Sequence, residues 1–81
     1  MRALVHVTLK KTVLDPQGRT ICSTLNGLGH QNVADVRQGK YFEIELTDGD
    51  SPDAVRRQIE KIAGGVLANP VIEEFHVEVK D

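Results

Sequence analysis

His6 and His76 carry the most open chemistry in this chain of 81 residues. Each falls on the polar side of an alternating stretch, so neighbouring strands would bring them together, and imidazole is a common zinc ligand. A zinc site takes four ligands, and no clear third donor accompanies this pair, which leaves the histidines as solvated or interface-facing groups. His30, in a loop after the first helix, reads the same way. Glu43, Glu45, Glu73 and Glu74 could be paired on paper as general acid and base. Such a pair needs a desolvated carboxyl with a raised pKa, and nothing in the sequence indicates the pocket that would provide it. Cys22, the single cysteine, borders the apolar stripe of a helix and fits a small packing residue better than a nucleophile. Gly27-Leu28-Gly29 and Gly64-Gly65 do not sit between a strand and a helix start, so neither cradles a phosphate. No catalytic, cofactor-binding or metal-ligating residue emerges.

The elements that must position these side chains are legible from periodicity. Residues 1–10 alternate, with Val5, Val7 and Leu9 on one face and His6, Thr8 and Lys10 on the other, as in a half-buried strand. Asp15 fits a helix N-cap and Pro16 its first position. Ile21, Leu25 and Leu28 then recur at helical spacing, and Gly29 supplies the stop. Gly18 falls at N3, where glycine costs a helix roughly 0.5–1 kcal/mol against alanine. Close approach of another backbone would explain it, and a partner's backbone is the expectation. Residues 32–38, with Val33 and Val36, read as a short strand before the Gln38-Gly39 turn signal. Whether that stretch and the next form two strands or one bent strand stays open. Phe42, Ile44 and Leu46 alternate with Tyr41, Glu43 and Glu45 in the clearest strand of the chain. Asp48-Gly49-Asp50 marks a turn. Ser51 and Pro52 repeat the cap device and open a second helix with Val55, Ile59, Ile62 and Val66 on one stripe, ended at Asn69-Pro70. Phe75, Val77 and Val79 then face inward from a last strand.

The order β-α-β-β-α-β, with two halves of matching layout, predicts an α+β ferredoxin-like plait: one antiparallel sheet with two helices on a single face. His6, Thr8, Tyr41, Glu43, His76 and Glu78 then lie on the open face. A length of 81 residues gives one domain over 1–81, close to the size at which a single core contributes only a few kcal/mol, so self-association is expected. The net charge of −2 and the single tyrosine argue against nucleic acid, which would call for a basic face or an aromatic sheet. No apolar run approaches the ~20 residues of a membrane span, and the start lacks the layout of a signal peptide, so a cytoplasmic protein is expected.

What remains is a set of contact candidates. Val13, Leu14, Asp15, Pro16, Gln17 and Gly18 form a projecting turn. Arg37 and Lys40 flank Gln38-Gly39, at the opposite end of the third strand. His6, Tyr41 and His76 are candidates for an interface between copies. Arg56, Arg57 and Lys61 read as a solvated basic face of the second helix, interleaved with Glu60.

Lys-Lys-Thr-Val-Leu-Asp-Pro-Gln-Gly over residues 10–18, Leu28-Gly29, Val36-Arg37-Gln38-Gly39-Lys40-Tyr41, and Leu67-Ala68-Asn69-Pro70-Val71-Ile72-Glu73 occur in order within this short domain. Together they resemble PurS, the small accessory subunit of phosphoribosylformylglycinamidine (FGAM) synthase. The resemblance implies a non-catalytic subunit of an ATP- and glutamine-dependent ligase in purine biosynthesis. It would bridge the glutaminase subunit, which releases ammonia, and the large synthetase subunit, which consumes it. ATP and Mg are expected on that large subunit and no cofactor on this chain, with a homodimer or dimer of dimers as its own state. An ACT-like small-molecule-sensing module shares the element order, but Asp15-Pro16 stands where such modules favour a glycine-rich turn. Acylphosphatase, on a related plait, is excluded by the lack of an arginine in a glycine-rich loop after the first strand.

Overall fold

A computed structural model describes residues 1–47 and 51–80, so the expected Asp48-Gly49-Asp50 turn lies outside the described residues. The chain runs β1 (Arg2–Leu9), α1 (Pro16–Gly27), β2 (Gly39–Glu45), α2 (Pro52–Ile62), a π-helical turn (Ala63–Leu67) and β3 (Glu73–Lys80). The sheet is antiparallel with order β2-β1-β3. Register follows the apolar alternation: Val5 lies opposite Phe42 and Val77, while His6 lies opposite Tyr41 and His76. Ala3, Val5, Val7 and Val77 therefore share one face and pack with Val55, Ile59 and Ala63 of the second helical stretch. The architecture is α+β, as the alternation indicates.

Both helix starts form as their sequences dictate. Asp15 accepts a hydrogen bond from the Gly18 N–H at 2.9 Å and Ser51 accepts one from the Ala54 N–H at 3.2 Å, each with proline directly after the cap. At the other end of α1, Gly29 takes φ of 103°. The His30 N–H then reaches the Leu25 carbonyl and the Gly29 N–H reaches that of Asn26, closing a Schellman turn.

Three expectations need correction. First, the two helices do not share the sheet face. The core and the side chains packed on it come from the strands, α2 and the residues after it, and none comes from residues 10–38. Ile21 and Leu28, expected to meet the sheet, are exposed. The radius of gyration is 16.1 Å, against about 12 Å for a compact chain of this length. An eight-residue strand of about 26 Å and a 12-residue helix of about 18 Å, laid end to end, account for most of the 49 Å long axis. α1 therefore continues beyond the end of the sheet as an arm.

Second, residues 32–38 form no strand. They return along α1, where the Val33 carbonyl accepts from Asn26 Nδ2 at 3.2 Å and the Cys22 thiol at 3.6 Å. Gly39 does not adopt a positive φ and makes no hairpin. It is required instead by proximity, since a Cβ there would lie 2.6 Å from the Val7 carbonyl oxygen.

Third, Val66 is 79% exposed rather than part of the apolar stripe of α2. The Ala68 N–H bonds to the Ala63 carbonyl, five residues back, and this wider turn rotates the stripe so that Ala63 and Ala68 are buried in its place.

Candidate functional site

The projecting turn before α1 is built around Asp15, whose side chain is buried. One carboxylate oxygen accepts from the Gly18 N–H, and the other accepts from the Gln38 N–H at 2.7 Å. The bond from Gln38, then that from Gly18, hold the Asp15 carboxyl below the ordinary carboxylate range against the opposing effect of desolvation, with help from the Arg37 charge. Asp15 thus caps its own helix and ties the base of the arm to the residue that enters β2.

Arg37 completes the same joint. Its guanidinium Nη2 donates to the carbonyls of Lys10 and Val13, each at 3.0 Å. Arg37 was expected at the far end of the third strand from the Val13-Leu14 turn, but the structure brings the two together. The Gln38 side-chain amide donates to Gln17 Oε1 at 2.6 Å. Lys40 Nζ lies 3.5 Å from Glu73 Oε2, on the strand at the other side of the sheet. A cleft of about 300 Å³ opens here, lined by residues that include Gln17, Gln38, Lys40 and Glu73.

Gly18 receives its explanation at this joint and requires correction as a partner contact. It is buried, and a Cβ on it would overlap the chain's own Val36 carbonyl oxygen and stand 2.9 Å from Asp15 Oδ2. The backbone that approaches is an internal one. Of the eight candidates for a partner contact, Asp15 and Gly18 support the joint from inside, and Val13 is half-buried. Leu14, Pro16, Gln17, Arg37 and Lys40 remain exposed around it, with Leu14 61% exposed.

The candidates for an interface between copies also come together. His6 lies centrally on the open face, 4.9 Å from the Tyr41 ring and 6.4 Å from the His76 ring between centroids. All three are exposed. The Tyr41 hydroxyl donates to Glu43 Oε1 at 3.0 Å, and partial desolvation followed by this carboxylate raises the Tyr41 pKa. His76 Nε2 stands 3.8 Å from Glu78 Oε1. Among the described residues no three His, Cys, Asp or Glu side chains converge as a metal-ligand set.

Two residues at these surfaces escaped the sequence reading. Glu73 reads from the sequence only as an exposed strand carboxylate, yet it pairs with Lys40 and accepts from the Asn69 N–H at 2.7 Å. Arg56 falls on a helix face that reads as solvated, yet its guanidinium donates to the Val77 carbonyl of the edge strand at 2.9 Å. The Lys40–Glu73 and Arg56–Val77 contacts join positions far apart in the chain, and no local motif encodes them.

The geometry gives a rigid joint, an outstretched arm and an open sheet face, which is equipment for contact. The family model described as PurS, phosphoribosylformylglycinamidine (FGAM) synthase, matches residues 2–81. The chain belongs to the PurS family. It is 45% identical over 76 residues to the PurS subunit of the FGAM synthase of Mycobacterium leprae, covering 94% of this chain and 91% of that protein. The crystal structure of Methanocaldococcus jannaschii PurS superposes with a TM-score of 0.88 at 38% identity, over 99% of this chain and 95% of that one. A coverage of 99% takes in the arm as well as the sheet. A chain in the structure of PurLQS from Thermotoga maritima superposes with a TM-score of 0.85 at 27% identity, over 95% of this chain and 93% of that one. The PurS family places the chain in purine biosynthesis as a subunit of FGAM synthase, and an ACT-type sensor finds no support.

No helix among the described residues is long and apolar enough to cross a membrane.

Proposed function

We propose that this chain is the non-catalytic bridging subunit of FGAM synthase, joining the glutaminase and large synthetase subunits so that ammonia released by one reaches the other. The observation that carries this reading is the arm. Residues 10–38 contribute nothing to the core, yet Asp15 and Arg37 fasten the two ends of this segment to each other where it leaves β1 and enters β2. A small domain that orders a segment without packing it against its own core is organised to pack it against something else.

In this reading, ATP and Mg are bound by the large partner, and this chain acts in the cytoplasm through surfaces alone. Leu14, Pro16, Gln17, Arg37 and Lys40 form the face toward the larger subunits, and the chain is a homodimer or dimer of dimers. Affinity capture with the purified glutaminase and synthetase subunits tests it. The expected result is a three-component complex that forms with this chain and not with a Leu14→Glu, Gln17→Glu variant of it. Capture of the glutaminase by the synthetase with equal efficiency in the absence of this chain would refute a bridging role.

A further inference from the structure

We propose that His6 and His76 form a two-imidazole clamp for a divalent cation of the zinc, copper and nickel group on the open face of the sheet, with water in the remaining coordination positions. The two residues lie directly opposite each other on β1 and β3, so the register of the sheet sets their spacing before any ion arrives. Both side chains are exposed, and their ring centroids stand 6.4 Å apart. With nitrogen-to-zinc bonds of about 2.0–2.1 Å, two imidazoles on one tetrahedral ion have centroids about 5 Å apart. The rings need to close by about 1 Å, which the side-chain torsions of two exposed residues supply without moving the backbone.

Neighbouring side chains brace the clamp from both sides. The Tyr41 ring leans on His6 at 4.9 Å from the strand opposite His76, and its hydroxyl is tied to Glu43. On the other side, Glu78 Oε1 lies 3.8 Å from His76 Nε2, which leaves Nδ1 of that ring for the ion. A carboxylate against the outer nitrogen of a metal-bound imidazole fixes the orientation of the ring and raises its basicity.

The charge pattern selects a cation. In the rows of the sheet on either side of His6, Leu4 lies opposite Glu43 and Glu78, and Thr8 lies opposite Gly39 and Glu74. Those rows carry three carboxylates and no lysine or arginine, a field that attracts a divalent cation and repels phosphate. Donor chemistry narrows the cation further. Imidazole nitrogen suits zinc, copper and nickel, whereas magnesium and calcium take oxygen ligands. Two protein donors fall short of the four that close a structural zinc site, so the bound ion keeps exchangeable positions that face outward. The occupant assigned to this face is thus an ion rather than a second copy.

The test uses the full chain without an affinity tag, titrated with zinc chloride in a calorimeter at neutral pH, while the histidine ring signals are followed by NMR. One zinc per chain is expected, with the His6 and His76 signals shifting together and that of His30 unmoved. His6→Asn or His76→Asn is expected to abolish binding, and Glu78→Gln to weaken it about 10-fold or more. All three positions lie outside the core, so the circular dichroism spectrum is expected to stay that of the parent. Acid is expected to release the ion, because a protonated imidazole is no longer a ligand. Zinc that shifts His30 instead of the pair, binding that survives both asparagine substitutions, or no binding at about 100 µM zinc, where affinities weaker than micromolar still register, would overturn the assignment. A Glu78→Gln chain that binds zinc as well as the parent would overturn the role given to Glu78.

Discussion

Replacing Gly18 with alanine is expected to loosen the arm while leaving the sheet intact. The added Cβ would overlap the Val36 carbonyl oxygen, and it would stand 2.9 Å from Asp15 Oδ2. To clear it, the carbonyl must retreat by roughly 1 Å, a repacking that costs about 1–3 kcal/mol. The obstacle is backbone and cannot swing aside as a side chain would, so the upper end of that range applies. Alanine returns at most about 1 kcal/mol in helix propensity. The net cost of about 2 kcal/mol falls on α1 and residues 33–38 and corresponds to a roughly 30-fold rise in local opening. Amide hydrogen exchange resolves this by element: protection in α1 is expected to fall about 30-fold, while β1 and α2, which hold the core, keep theirs. Glutamine-dependent turnover with the larger subunits is expected to fall with it. A Gly18→Ala chain with α1 as protected as the parent would refute the close-approach account.

Acid is expected to release the same joint. The folded pKa of Asp15 is lowered from 3.8, so its contribution is complete above that value and is lost as the pH falls through the lowered one; exchange in α1 should therefore accelerate below about pH 4, and an Asp15→Asn chain should show little of that acid dependence. Ile59→Ala removes a fully buried side chain from the centre of the core and is expected to cost about 2–5 kcal/mol, read as a lower denaturant midpoint in which β1, β3 and α2 unfold together. The single tyrosine should titrate above its ordinary value of 10.0 by ultraviolet absorbance, and Glu43→Gln should bring it back down.

The parts of the fold legible in the sequence are those set within a few residues. Asp15-Pro16 and Ser51-Pro52 fixed helix starts because a cap and its proline act on the adjacent turn. The alternation around Val5, Phe42 and Val77 fixed which face each strand buries, and with it the meeting of His6, Tyr41 and His76. The place of α1 was not legible. Its stripe of Ile21, Leu25 and Leu28 shows that the helix needs an apolar partner, and a periodicity does not state which surface supplies one. Residues 33–38 misled for a related reason: Val33 and Val36 suit an extended chain, and they lie along α1 rather than beside a strand. The poor helix propensity of Gly18 at N3 does show that something else holds it. That the approaching backbone belongs to Val36 of the same chain depends on how the arm folds back, eighteen residues later. The π turn that exposes Val66 had only Gly64-Gly65 as a local sign.

Steady-state turnover of the reconstituted synthase tests the bridging claim most directly. FGAM formation would be followed with the glutaminase and synthetase subunits in the presence and absence of this chain, once with glutamine and once with ammonium as nitrogen donor. The account expects glutamine-dependent turnover only when the chain is present, a much smaller dependence with ammonium, and no glutamine hydrolysis or ATP consumption by the chain alone. Glutamine-dependent turnover that proceeds equally well without the chain would contradict it.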